Sequence, residues 1–197
     1  MRKNNTDNVT TGKPKVGGAI FVAPAGTTIP TDAVSELPEN YSNMGYISDS
    51  GLVNSNTPSS DNIKAWGGDI VAVVPSEKPD TFKYTLVEAL NPAVLKHVYG
   101  TSNVSGDVDT GITIKANNQQ QDESTIVIDM ILKGNILKRV VIPKAVVTAV
   151  GDITYADNSA VSYETTVSAL PDGDGNTHYE FIRKGTVQTV QEPYEEE

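Results

Sequence analysis

Residues branched at Cβ dominate this chain and set its fold class before any motif is considered. It contains 23 Val, 14 Ile and 20 Thr against 8 Leu. Such side chains crowd the preceding turn of a helix but pack well on a pleated surface. The 16 Gly and 11 Pro supply the turns that many short strands require. The expectation is an all-β domain with one short helix, built as a β-sandwich or barrel.

Local patterns agree. Gly18 to Val22 is a short apolar run ended by Pro24, and Asp69 to Val74 is another ended by Pro75. In Thr81 to Val87, Phe82, Tyr84 and Leu86 alternate with polar neighbours, the mark of a half-buried strand. Ser124 to Lys133 alternates Ile126, Ile128, Met130 and Leu132. Gly134-Asn135 then separates it from Ile136 to Ile142, which predicts a hairpin with a type II′ turn. Ala145 to Val150, Ala160 to Ala169 and Thr177 to Lys184 read as further strands. For the helix, Asn91 suits the N-cap, Pro92 the first position and Gly100 the far end. Ala93, Val94, Leu95, Val98 and Tyr99 are its candidate buried face. Residues 1–16 read as a flexible polar arm, 17–185 as a single domain and 186–197 as an acidic tail. The polar stretch 48–62 reads as a long loop.

Composition excludes several kinds of function. With no cysteine there is no disulfide, thiol nucleophile or thiolate metal site. The net charge of −10 argues against an ordinary nucleic-acid binder, which needs a basic footprint. The N-terminus has no apolar stretch of the signal-peptide kind, and no window approaches a membrane helix. Synthesis in the cytoplasm is expected. A compact monomer of 21.0 kDa would expose roughly 9,000 Å².

The chemistry of catalysis is sparse. His97 and His178 are the two histidines, and neither has a second one nearby to build a metal or triad site. Structural or solvated roles suit both. G-x-S-x-G, the phosphate-binding G-x-x-x-x-G-K-[ST] and a helix-opening G-x-G-x-x-G are absent. Asp172-Gly173-Asp174-Gly175-Asn176 offers clustered oxygens for calcium. An EF-hand counted from Asp172 would need Gly where Thr177 stands and Glu where Arg183 stands. A plain turn is the better reading. Trp66, the lone tryptophan, fits a buried anchor where a strand turns more simply than a binding platform. No catalytic, cofactor-binding or metal-ligating residue is assigned.

Four stretches together resemble the major tail proteins of long-tailed, siphovirus-type bacteriophages, the subunits of the tail tube. They are Gly17 to Pro24 with Tyr46 to Leu52; Ile63 to Asp69; Thr81 to Glu88 with Asn91, Val94, Leu95 and Val98-Tyr99-Gly100; and Arg139 to Ala145 with Gly151 to Tyr155 and Tyr163 to Val167. The resemblance implies a two-sheet β-sandwich similar to the type VI secretion tube protein. It implies hexameric rings that stack into a hollow tube through which DNA passes to the host. The implied partners are copies of the chain, a tape-measure protein, a tail terminator and baseplate or tip proteins. The implied place is the virion tail, with no membrane partner.

By the same similarity, the contact candidates between subunits or rings are Ser50, Gly51, Leu52, Val53, Asn54, Ser55, Asn56, Thr57, Pro58 and Trp66. The terminal arm and tail are further candidates for contact between rings. About a dozen residues follow Lys184, too few for an added immunoglobulin-like domain. An acidic wall suits a conduit, because it repels phosphate where a basic wall would trap it. The alternative is a carbohydrate- or receptor-binding β-sandwich on a virion or cell surface, which would use an aromatic platform or a calcium loop.

Overall fold

The computed structural model describes residues 4–15 and 17–185. In chain order the strands are β1 (Gly12–Pro14), β2 (Ile20–Pro24), β3 (Ser42–Asn43), β4 (Ile47–Asn56), β5 (Ser59–Lys64), β6 (Ile70–Glu77) and β7 (Asp80–Leu86). After helix α1 (Pro92–Tyr99) come β8 (Val104–Ser105), β9 (Thr113–Ile114), β10 (Ser124–Leu132), β11 (Ile136–Val150), β12 (Tyr163–Leu170) and β13 (Tyr179–Lys184). The all-β expectation holds, with one α-helix among the described residues.

The longest strand, β11, organises the rest. Its first half lies between β10 and β13, and its second half pairs with β12. The sheet continues from β12 to β7 and β4 on one side, and from β10 to β2 and β3 on the other. The two layers of the expected sandwich are thus limbs of one nine-stranded sheet, folded along β11. Pro143 does not end a strand, as the sequence suggests. Ser124 pairs with Ala145 and Ile126 with Ile142, so β11 carries one extra residue around Pro143. A bulge is where a residue lacking an N–H is tolerated inside a sheet.

The β10–β11 hairpin forms, but its turn differs from the expected type. Leu132 pairs with Ile136, leaving a three-residue loop. Gly134 has φ 80° and Asn135 φ 58°. A type II′ turn joins two strands through two residues with positive φ only at the first, so a three-residue loop with consecutive positive φ at Gly134 and Asn135 is a different turn. Asn tolerates this region, which removes the need for a second glycine.

The main core lies between the limbs and under the helix. Ile20, Ile126, Ile128, Val140 and Ile142 meet Phe82, Tyr84, Leu86, Tyr163 and Val167 there. The helix adds Val94, Leu95 and Val98. It starts where the sequence places it: Asn91 Oδ1 accepts from the Ala93 amide at 3.0 Å, and Gly100 caps the far end at φ 95°. The opposite face of β10 and β11 is buried too. Val127 and Val141 pack there with Ala23 and Tyr41 beneath the irregular segment 25–41.

On that face a cross-strand ion pair lies in the interior. Asp129 and Arg139 are register partners, 3% and 1% exposed. Arg139 Nε and Nη2 donate to the two Asp129 oxygens at 2.6 and 2.8 Å. Its Nη1 donates to the carbonyls of Asp32 and Ser35 at 3.2 and 2.9 Å. The pair thereby ties segment 25–41, which has little secondary structure of its own, onto the sheet.

Candidate assembly surface

The stretch 48–62, expected as a loop, is instead strand: β4 and β5 interrupted only by Thr57 and Pro58. Asn56 pairs with Asp80 and Ser59 with Glu77. Across the interruption the register is therefore the same, and β4–β5 runs antiparallel to β6–β7 as one long hairpin. The ladder breaks at Pro58 and Pro79, which have no N–H to donate. Beyond that break the two-stranded ribbon of β5 and β6 stands away from the body. Every residue from 53 through 79 is exposed. The whole chain exposes 13,764 Å², about half again the compact-monomer figure.

The ribbon ends in a turn in which the Gly68 amide donates to the Ala65 carbonyl at 3.0 Å. Gly67, at φ 116°, takes the position that glycine fills without strain. Trp66 sits at the outermost point and is fully exposed, so it is not the buried anchor that the sequence suggests. The apolar run of β6 is not buried either. Ile63, Ile70, Val71 and Val73 are each more than half exposed. Alternation puts Ala72 and Val74 on the face of Ile63, and Val71 and Val73 on the other. The strand is apolar on both faces with no cover on either.

The ten candidate residues divide by position. Ser50 to Asn56 lie on β4, and Leu52 to Asn56 pair with β7. Leu52 packs against the main core, and Asn54 turns to its own chain. Ser50, Gly51, Val53, Ser55 and Asn56 ride on the body's edge strand, Thr57 and Pro58 mark the break, and Trp66 is the tip. Sequence reasoning missed Ile63, Ile70, Val71, Val73 and Val74 as surface. Their pattern reads as a buried strand, which says nothing about whose atoms bury it.

The arm's root is held by a buried carboxylate. Asp80, 3% exposed, accepts from Asn54 Nδ2 at 2.8 Å and Thr177 Oγ1 at 2.6 Å. His178 Nδ1 stands 2.6 Å from Asp80 Oδ2, and its ring meets Phe82 edge-on at 5.3 Å. Burial alone would raise the Asp80 carboxyl. The bonds from Thr177, Asn54 and His178 outweigh it and hold the group below its ordinary value. Segments either side of the arm's base are thereby tied to the loop before β13.

His97 is structural as well. It is buried in α1, and its Nε2 lies 2.8 Å from the Tyr84 hydroxyl. Burial pushes the imidazole down from 6.5 to about 4. The unfolded chain therefore takes up a proton below about pH 6.5 that the folded one refuses until near pH 4. Stability from this group is complete above pH 6.5 and is lost as pH falls toward 4. The expected loss between pH 7 and pH 5 is about 2 kcal/mol. Urea titration at both values should show a smaller pH-dependent loss in His97→Gln than in the wild type.

The turn at Asp172 uses its own oxygens. Asp172 Oδ1 accepts from the amides of Asp174 and Asn176 at 2.9 and 3.0 Å, and Oδ2 from the Tyr179 hydroxyl at 2.7 Å. That is the turn reading, with the carboxylate spent on the chain itself. Among the described residues no three His, Cys, Asp or Glu side chains cluster as a metal site. No helix among them is long and apolar enough to cross a membrane.

A comparison with curated proteins found no match. The sequence does match a protein family described as phage tail tube protein, over residues 2–193. That span takes in the folded limbs, the projecting arm and the buried tie at its root. The chain belongs to the phage tail tube protein family.

Proposed function

We propose that this structural tail protein self-assembles into stacked hexameric rings that form a hollow tube, and that DNA passes through it to the host. The observation that carries the reading is the arm. A lone two-stranded ribbon is at best marginally stable in water. This one exposes apolar side chains on both faces and unpaired main-chain groups along both edges. Such edges pair readily with another chain, and here the partner is a copy of the same chain.

Residues Ser50, Gly51, Val53, Ser55, Asn56, Thr57, Pro58 and Trp66 are the proposed contacts, now joined by the apolar residues of the ribbon. Leu52 and Asn54 support those contacts from within the body. Residues 4–15 are a second contact segment. Gly12–Pro14 pairs with β10, and Thr10 and Lys15 on either side are bonded to Lys133 and Asp129 of the body. The acidic tail proposed for ring-to-ring contact lies outside the described residues. The net charge of −10 suits a wall that lets phosphate slide rather than stick. Tape-measure, terminator and baseplate or tip proteins complete the set of proposed partners.

Negative-stain electron microscopy over a concentration series tests the reading, with and without a tail-tip complex as seed. Six-fold rings or hollow tubes of constant diameter are expected. A protein that stays monomeric at every concentration, seeded or not, would overturn it.

A further inference from the structure

We propose that a cleft at the start of β4 and the end of β7, the ends of those strands away from the arm, receives Trp66 of a second copy, and so is the seat for the arm's tip. The inference rests on the self-assembly reading and adds to it the receptor and the recognising chemistry. The cleft measures about 420 Å³ and lies between the segment entering β2 and the segment entering β4. Gly17 and Gly18 form part of one wall, at φ 92° and 138°. Gly18 is covered by the Asn43 side chain, whose Nδ2 donates to the Gly17 carbonyl at 2.8 Å, while Gly17 leaves its peptide bare. A Cβ on Gly17 would meet nothing within 4 Å, so the space before it is open.

The opposite wall carries a placed acceptor. Glu88 Oε1 accepts from the Tyr46 amide at 2.9 Å, and Oε2 from Asn91 Nδ2 at 3.0 Å. A Cβ on Gly45 would overlap the Glu88 carboxyl, so only glycine lets the carboxylate come in this close. Each oxygen keeps a lone pair for a further donor. Lys15 lines the same cleft with its side chain 40% exposed. A slot lined by Gly17, Ala19 and Ile47, with the Glu88 acceptor and the half-exposed Lys15, whose ammonium also stands 3.5 Å from Asp129, matches an indole. The ring fills the slot, its N–H donates to Glu88, and its face takes the Lys15 ammonium.

Trp66 is the chain's lone tryptophan and has no cover in its own copy. It does not reach its own cleft. Gly45 to Ile47 stand at the end of β4 opposite the arm, and the stretch from Leu52 to Lys64 alone carries the tip about 40 Å further away. The ladder from Leu52–Tyr84 to Lys64–Ile70 keeps that separation. The occupant is therefore the Trp66 of another copy.

A buried aromatic anchor at an interface is worth 2 kcal/mol or more, so Trp66→Ala should raise the concentration needed for assembly by roughly 30-fold. Two measurements on the full chain decide the matter. The first places the photoreactive residue p-benzoylphenylalanine at position 66, mixes that protein with excess wild type and irradiates under conditions where microscopy shows rings or tubes. Crosslinks to residues 14–19, 43–47 or 88 of a second copy are expected. Tubes whose crosslinks fall elsewhere would overturn the seat while leaving self-assembly intact. Absence of rings and tubes from the wild type would overturn both. The second follows Trp66 emission in the unaltered protein, which should move to shorter wavelength on assembly. An unchanged spectrum in formed tubes would also overturn the seat.

Discussion

Asp129→Ala should destabilise the folded chain by about 3–5 kcal/mol, a fall of roughly two to four orders of magnitude in its folding constant. The variant leaves the Arg139 guanidinium 1% exposed with no counter-charge. An uncompensated buried cation costs several kcal/mol, far more than a pair is worth at the surface. Arg139→Met strands the Asp129 carboxylate, with only Lys15 Nζ 3.5 Å away, and frees the Asp32 and Ser35 carbonyls. Asp129→Leu with Arg139→Met removes both charges together. It should lose less than Asp129→Ala alone, because no charge is left stranded. Urea unfolding of Asp129→Leu, Arg139→Met and their double closes the cycle, with an expected coupling above about 2 kcal/mol. Single losses that simply add would show that the pair carries no coupling, and that segment 25–41 is held by other contacts.

That pair also marks a limit of sequence reading. Alternation gives one face of a strand at a time. Ile126 and Ile128 announce the main core, and Asp129 then reads as the solvent face. In the fold the other face is covered by segment 25–41, which has no periodicity to announce it. Where a strand has one buried face, the pattern suffices. Phe82, Tyr84 and Leu86 of β7, and Tyr163, Thr165 and Val167 of β12, are buried as alternation requires. The helix was legible at both ends because Asn91, Pro92 and Gly100 each act through their own backbone.

The arm was legible only in part, for a different reason. Residues 53–62 are exposed throughout because nothing in the same chain covers them, and a polar, uncovered strand has the composition of a loop. β6 is the converse case. Its apolar run predicts burial correctly only if the burial happens in an assembly. Trp66 misleads in the same way. A lone tryptophan is ordinarily an anchor, and here it is offered at the end of a ribbon rather than kept inside.

Replacing residues 59–77 by Asn-Gly should abolish tube formation and leave the body folded. The cut lies beyond Pro58 and before Lys78, so it spares the β4–β7 pairing and the Asp80 tie. None of the removed residues belongs to either core cluster. The urea midpoint should therefore stay close to that of the wild type. Assembly is another matter. Burying Ile63, Trp66, Ile70, Val71, Val73 and Val74 supplies on the order of 10 kcal/mol per subunit at 1.5–3 kcal/mol each. Association and ordering consume a comparable amount. Without the arm no surplus remains, and no tube should appear even at 100-fold the wild-type threshold. Tubes of normal diameter from the shortened chain would place the main contact on the body instead. Val71→Glu with Val73→Glu charges one face of the ribbon, and Ala72→Glu with Val74→Glu the other. An arm sandwiched between copies should fail in both variants, whereas an arm lying on one neighbour should fail in only one of them.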